Sequence, residues 1–328
     1  MEQSILSNNK LAKKEELHQS CLARAKQKET HDGIARGILL FFTILSASFV
    51  VFIVLFLLVR GIAPFLGTYE FDGVIYSLDL SRFLLGDTWF LYPHIYGIGF
   101  VIVNTIYVSF VALAIASVIG IFSALFIAKI APKPVKMVLV SITELLAAIP
   151  SIVYGVFGVG IITNLSKTIA SFFGYQSAGG MGTLSSMLVL AVMIMPTVTL
   201  IGITSIEAVK KEVIEASFAL GATKMQTYFK VVLASAKSGI IAGMILGLGR
   251  ALGEATAVSM VAGNAGTGPN FHLFETTRTL TSTILLGFKE TRGLDYDIRY
   301  SVGLVLIVVI IASNILLHYL RKKVGKIL

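Results

Sequence analysis

The sequence predicts an all-α polytopic membrane protein with six transmembrane helices, and three observations carry that reading. Only 14% of the 328 residues are charged and mean hydropathy is +0.85, whereas soluble domains carry about 25% charged residues. Apolar runs of about 20 residues, the length that crosses a hydrocarbon core, recur along the chain. Lysines and arginines crowd into alternate connections between those runs, the asymmetry that marks cytoplasmic loops.

Residues 1–36 mix Lys, Arg and Glu with little periodicity and read as a solvated cytoplasmic tail. The first helix occupies 37–60, an uncharged run that ends at Arg60. It is too long, and too far from the start, to be the apolar core of a secretory signal peptide. Residues 61–100 form an extracytoplasmic segment. Its Phe, Tyr and Leu side chains and single tryptophan, Trp89, suit a membrane–water interface. A transmembrane domain over 101–320 follows, with helices expected at 103–127, 137–164, 184–206, 238–264 and 302–320. The third is crossed by Glu144 and Pro150, the fourth by Pro196. Between the last two lies an outer segment, glycine-rich at GNAGTGPN and helix-like through LFETTRTLTSTILLGF. A basic tail, 321–328, closes the chain.

Pro150 and Pro196 each remove a backbone hydrogen bond. In lipid the freed carbonyls need neighbouring helices, hydroxyl groups or water in a cavity. Ser151 and Thr197, next in sequence, are candidates for that role and for a solute route; a kink that only improves packing is the alternative. Asn104, Thr105, Ser109, Ser117 and Ser141 favour close helix packing over lipid exposure.

Orientation follows from charge. Residues 1–36, 129–136, 208–237 and 321–328 hold nineteen Lys and Arg, against seven in 60–94, 165–183 and 264–301. Both termini are therefore placed in the cytoplasm, in a multi-pass arrangement in the cell membrane. The net charge of +9 is thus spread over membrane-flanking loops. No basic patch interleaved with aromatics is present to engage nucleic acid.

Several kinds of chemistry are not expected. The lone Cys21 excludes an intrachain disulfide. His18, His31, His94, His272 and His318 include no pair at i,i+3 or i,i+4, so a metal site is not expected. No GxxxxGK[ST] pattern occurs, and Gly325-Lys326 lacks both flanks of one. No catalytic residue and no cofactor is assigned, so any chemical energy used in transport has to come from elsewhere.

The connection 207–237 is the most informative loop. Glu212 to Leu220 has helical composition, Gly221 can make a sharp turn, and helical pattern resumes from Lys224. A helix–glycine–helix hairpin between two spans suits docking on a partner, or it rests on the bilayer surface with its lysines on anionic lipid. Glu215-Ala216-Ser217, then Gly221, then Val231-x-Leu233 resembles the EAA loop of permease subunits in ABC importers. Ser217 stands where that pattern usually has alanine, and Ala234 where it usually has proline. The resemblance implies a type I importer permease fold and a short helix seated in a groove of a cytoplasmic ATPase subunit.

Residues 247–258, GLGRALGEATAV, narrow the match. With the following MVAGN, with IPSIVYGVFG (149–158), MPTVT (195–199) and RTLTSTI (278–284), they are similar to PstC-type phosphate permeases. PstA-type subunits usually carry R-x-x-G-E-T-A-P instead. This resemblance implies a permease subunit of an ATP-driven phosphate importer. Its partners would be a homologous PstA-like permease, a cytoplasmic ATPase dimer and an extracytoplasmic phosphate-binding protein. A permease for another oxyanion or small polar solute, an ion-coupled secondary carrier and a sensory component are the alternatives.

Arg250 and Glu254 are the only charges between Ser238 and Asn264. A central ionised side chain costs about 2.5–3.5 kcal/mol on insertion scales. On a continuous helix, i and i+4 share a face and partly neutralise one another, although Arg-then-Glu is the weaker order. Two readings stay open: a buried ion pair that pins the helix, or part of an anion pathway in which an arginine fork meets phosphate oxygens. The resemblance supports the second. Gly243, Gly247, Gly249 and Gly253 make two small-xxx-small spacings suited to close helix packing at a subunit or pseudo-twofold interface.

Overall fold

The computed structural model describes the backbone of residues 2–71 and 73–325, and the side chains of residues 32–70, 73, 75–319 and 321–322. Cys21, His18 and His31 lie outside those side chains. The chain divides into two units, Met1–Leu57 and Leu58–Leu328. The first is helix throughout its described length, part of α1 (Glu2–Leu66). No proline interrupts α1 before Pro64, so the charged stretch and the apolar stretch share one helix. Every residue from Asp32 to Phe56 is exposed, as an uncharged helix meant for lipid would be.

The second unit begins with the end of α1, which packs on α13 (Leu294–Gly325). Arg60 pairs with Asp297 at 2.8 Å and lies over the Tyr300 ring. Two small hairpins follow, β1 (Tyr69–Phe71) with β2 (Val74–Tyr76), and β3 (Trp89–Phe90) with β4 (Ile95–Tyr96). Between them lies α2 (Leu80–Leu85), capped by the Asp79 carboxylate on the Ser81 amide. Trp89 is 3% exposed, in a core with Phe83, Tyr96, Phe100, Leu280 and Ile298. Its ring is thus enclosed by protein, its hairpin folding it onto Phe100 and Ile298.

Among the described residues, six helices are long and apolar enough to cross a membrane. They are Asp32–Leu66, Gly99–Ile130, Ser151–Phe172, Thr183–Glu207, Lys224–Gly253 and Leu294–Tyr319. The second is α3 (Gly99–Leu125), extended by a π turn over Phe126–Ile130. The third, expected over 137–164 with an interruption at Pro150, is broken there and extends further at both ends. Chain 133–172 is α4 (Lys133–Ala148), a break at Ile149-Pro150, α5 (Ser151–Phe157), a π turn (Gly158–Ile162) and α6 (Thr163–Phe172). Proline disfavours helical backbone in the preceding residue, and Ile149 is accordingly extended (ψ 129). Helix α7 (Thr183–Glu207) runs through Pro196.

The fifth span comprises α9 (Lys224–Gln226), a π turn (Thr227–Val232) and α10 (Leu233–Gly253). It stops short of the expected end at 264, and α11 (Thr256–Val261) follows after a break. The segment after it is helical at α12 (Leu280–Leu285) and again from Leu294, where α13 begins. The residues before α12 are extended because their amides pair elsewhere: Thr277 donates to Ala262 O, and Asn270 to the Asn104 side chain.

The core of this unit is stacked along the bundle in three clusters. An outer cluster holds Trp89 and Leu280, a central one Leu190, Ile194, Leu248 and Ala257, and a third Leu125, Ile206 and Val232. In lipid the drive for helix association is van der Waals contact rather than water exclusion, so small residues sit where backbones meet. A Cβ on Gly243 would lie 3.1 Å from Ile201, and one on Gly247 3.2 Å from Val198, both on α7. At Gly249 and Gly253 it would meet nothing within 4 Å. Asn104, Thr105, Ser109 and Ser117 are buried. Ser141 is exposed, against the sequence expectation, because α4 buries none of its residues.

Gly247→Leu should destabilise the purified protein by about 1–3 kcal/mol, the usual effect of overpacking a tight contact. Gly249→Leu should leave thermal unfolding in detergent unchanged. Equal midpoints for both variants would contradict the packing of α10 on α7.

Candidate functional site

Two helix breaks lie side by side in the middle of the second unit. One is Ile149-Pro150, between α4 and α5. The other is Glu254-Ala255, where Glu254 is extended (ψ 113) between α10 and α11. Gly155 brings them together: a Cβ there would lie 3.1 Å from Ala257 Cα and closer still to Met260 Sδ. Helix α7 reaches the same region through Ile194, which shares a core cluster with Tyr154, Leu252 and Ala257, and through Thr197, which meets Arg250.

Broken helices in an apolar medium need local replacements for lost backbone hydrogen bonds. The Tyr154 hydroxyl donates to Leu146 O at 2.6 Å. Ser151 makes no side-chain hydrogen bond among the described residues, so the tyrosine, not the serine after the proline, closes the first break. At the second, the Thr281 hydroxyl donates to Glu254 O at 2.7 Å, and the Ala257 amide donates to Glu254 Oε1 at 2.9 Å. Tyr154 and Thr281 were not singled out from the sequence, although both lie in the quoted strings IPSIVYGVFG and RTLTSTI.

Glu254 therefore does not sit on the helix that carries Arg250. The i,i+4 pairing assumed one continuous helix, and α10 ends at Gly253. Among the described residues no ion pair joins the two. The Glu254 carboxylate is 9% exposed and caps α11, where the first amides of a helix favour negative charge. Arg250, in the last turn of α10, gains from the opposite end of that helix dipole. Its Nη1 donates to Thr197 Oγ1 at 3.4 Å, a long bond, and the other guanidinium donors have no partner among the described residues. The structure thus brings together Arg250 and Thr197, puts Glu254 on the adjoining cap, and places Ser151 at the head of α5. A cavity of about 500 Å³, lined by Gly253, Ala255, Thr281, Phe288 and Lys289, opens beside the second break.

Two more arginines, Arg278 and Arg299, donate to backbone carbonyls. Arg278 donates to Ala265 O and Asn264 O at 2.7 and 2.8 Å. Burial, and then repulsion from Arg299, lowers its pKa to about 10, so it stays charged at neutral pH. Arg299 donates to Thr283 O at the end of α12.

The 207–237 connection forms a compact hairpin. Helix α8 (Lys211–Ala219) ends in a turn at Gly221 (φ +81), a conformation that strains any residue with a Cβ. Thr223 and Gln226 close a capping box at the start of α9. Ser217 hydrogen-bonds Thr227 at 2.9 Å in the buried seam of the hairpin, which gives the serine a use that alanine lacks. Glu215 and Ala216 are exposed, and Leu220 at the tip is 88% exposed beside exposed Phe218 and Met225. Helical structure runs unbroken through Ala234.

Six membrane-length helices, two adjoining breaks and a rigid helical hairpin between two spans define a multi-pass permease. The family described as binding-protein-dependent transport system inner membrane component matches residues 116–326, and the chain belongs to it. It is 33% identical to the phosphate transport system permease protein PstC of Pasteurella multocida over 93% of this chain and 99% of that one. It is 39% identical to the probable ABC transporter permease protein YqgH of Bacillus subtilis, over 70% of this chain and 74% of that one. A probable PstC of Methanocaldococcus jannaschii is 32% identical over 85% and 91%. Among solved structures, a bacterial alginate ABC transporter matches with a TM-score of 0.63 at 16% identity, covering 90% of this chain and 96% of that one. The MetNI methionine ABC transporter matches at 0.54 and 18%, covering 68% and 94%. These likenesses show the fold.

Ser217→Ala should remove about 0.5–1.5 kcal/mol from the hairpin, the net worth of one hydrogen bond. Amide exchange over 211–230 should speed up by several-fold while exchange in α7 is unchanged. Unaltered exchange in the hairpin would contradict a structural role for the Ser217–Thr227 bond.

Proposed function

We propose that this chain is the permease subunit of an ATP-driven importer of inorganic phosphate. Arg250 carries the proposal: its guanidinium lies at a mid-bundle helix break, tied only to Thr197 among the described residues, with donors left to meet an anion. A planar guanidinium matches phosphate oxygens bidentately. Glu254 is one break away and occupied by the α11 cap, so it holds the break open without neutralising the arginine directly. Thr197 and Ser151 supply hydroxyls to the same route. Relatives named as phosphate transport permeases, matched over most of the chain, support phosphate over other solutes.

The chain itself catalyses no covalent step in this reading. ATP is hydrolysed by a cytoplasmic ATPase dimer that grips the hairpin through Glu215, Ala216 and the exposed Leu220. A PstA-like permease completes the route, and an extracytoplasmic phosphate-binding protein delivers the solute to the outer segments. Both termini and the hairpin face the cytoplasm, in keeping with the excess of Lys and Arg there. The domain plan follows: a cytoplasmic tail over 1–36, a first span over 37–60, an outer segment over 61–100, the transport domain over 101–320 and a basic tail over 321–328.

Arg250→Ala in the complete transporter should lower phosphate uptake by about tenfold or more, since a charged hydrogen bond is worth about 1.5–3 kcal/mol. Glu254→Gln keeps one oxygen for the Ala257 amide and should lower uptake less. Radiolabelled uptake into proteoliposomes measures both, with sulfate and molybdate as competitors. Normal uptake in both variants would sink the pathway role, and equal competition by sulfate would move the assignment to another oxyanion.

A further inference from the structure

Helix α4 poses a problem that the phosphate route does not solve. None of its sixteen residues is buried, yet it lies against the core. Leu139 and Val140 pack on the cluster containing Ile203 and Ile206, and Ile149, just past its end, packs on the central cluster. Its other face is open. Met137, Ser141, Glu144, Leu145 and Ala148 are all exposed, and their spacing puts them in one stripe along the helix. Glu144 is the only charged residue between Met137 and Asn164. It makes no ion pair or hydrogen bond among the described residues.

The depth of Glu144 follows from the helix itself. Lys136 pairs with Glu207 at the end of α7, which marks the boundary of the bundle. Glu144 stands eight residues further along α4, about 12 Å deeper at 1.5 Å per residue. On the reading of residues 137–164 as membrane-embedded, in a hydrocarbon core about 30 Å thick, the carboxylate lies inside it, toward the Pro150 break. Lipid does not accept an ionised carboxylate at that depth, and such residues face protein or water. An unpaired carboxylate on a water-filled route would repel the anion assigned to that route. A cation opposite it removes the difficulty, and no described residue of this chain forms an ion pair with it.

We infer that Glu144 forms an ion pair with a lysine or arginine of a second permease subunit, across an interface that includes the exposed stripe of α4. The inference rests on the reading of this chain as one of two permeases. Ser141 and Ala148, one turn to either side of Glu144, are small enough to let a neighbouring backbone approach. Met137 and Leu145, 68% and 69% exposed, supply apolar contact around the charge. Gly249 and Gly253 of α10 likewise meet nothing within 4 Å in this chain.

The test uses the assembled transporter in membranes. A photo-cross-linking residue at Ser141 or Ala148, in a chain with native Glu144, should give an adduct with the combined mass of this chain and the second permease. Glu144→Lys should lower uptake at least tenfold. Changing one membrane-embedded Lys or Arg of the second permease to Glu should then restore it to within threefold of the native level. Absence of the adduct would overturn the inference. So would complete labelling of Ser141→Cys, in a Cys21→Ser chain, by a membrane-impermeant thiol reagent in the resting complex, because water would then occupy the face. Full uptake by Glu144→Leu would overturn it as well. The adduct reports contact whatever solute is moved. Its loss therefore speaks against this interface, whereas failure of native phosphate uptake speaks against the proposed substrate.

Discussion

Every amide and carbonyl that leaves a helix within an apolar slab has to be paired inside the protein, and the arrangement of this molecule depends on how that demand is met. Two chain segments break where membrane helices would ordinarily continue. Each break is closed by a side chain from elsewhere in the fold. Tyr154 reaches back to Leu146 O, and Thr281 reaches across to Glu254 O. Thr281 stands on α12, which is anchored on α3 through the Leu280 amide and the Thr105 hydroxyl. The segment that carries α12 is therefore part of the framework that holds the second break. Loosening α12 would withdraw the hydroxyl that lets α10 end at Gly253.

The charges of the bundle obey the same economy. Glu254 has an amide to cap, Arg278 and Arg299 have backbone carbonyls, and Arg60 has Asp297. Arg250 and Glu144 stand apart, one with a single long hydrogen bond and one with none among the described residues. Both are in segments adjoining the Pro150 and Glu254 breaks. Unused hydrogen-bonding capacity inside a membrane domain marks places where a solute or another subunit completes the chemistry.

The hairpin over 211–233 is stiffened at its turn, its seam and its second helix. Gly221 takes a left-handed backbone, Ser217 bonds Thr227, and the capping box at Thr223 starts a helix that continues without interruption into α10. The second helix of the hairpin and Arg250 thus lie on one helical run. Proline at 234 would remove a backbone hydrogen bond from that run; alanine does not.

Much of this was legible from residues alone because it depends on local properties. The spans follow from apolar length, the hairpin turn from the one residue type that tolerates φ +81 at position 221, and the interruption at 150 from proline geometry. Other features had no local signature. Nothing in RALGE says that the helix stops before its glutamate. That outcome needs Thr281 and the α5 packing at Gly155, which come from more than twenty residues downstream and nearly a hundred upstream. Trp89 looked like an interface aromatic until its hairpin folded it against Leu280 and Ile298. Ser141 looked like a packing residue and proved exposed. The sequence by itself determined which segments enter the membrane, since that is a matter of solvation summed along the chain. Only the tertiary structure decided which buried polar groups are satisfied and which are left open, because hydrogen-bond partners in a helical bundle are chosen by proximity in space.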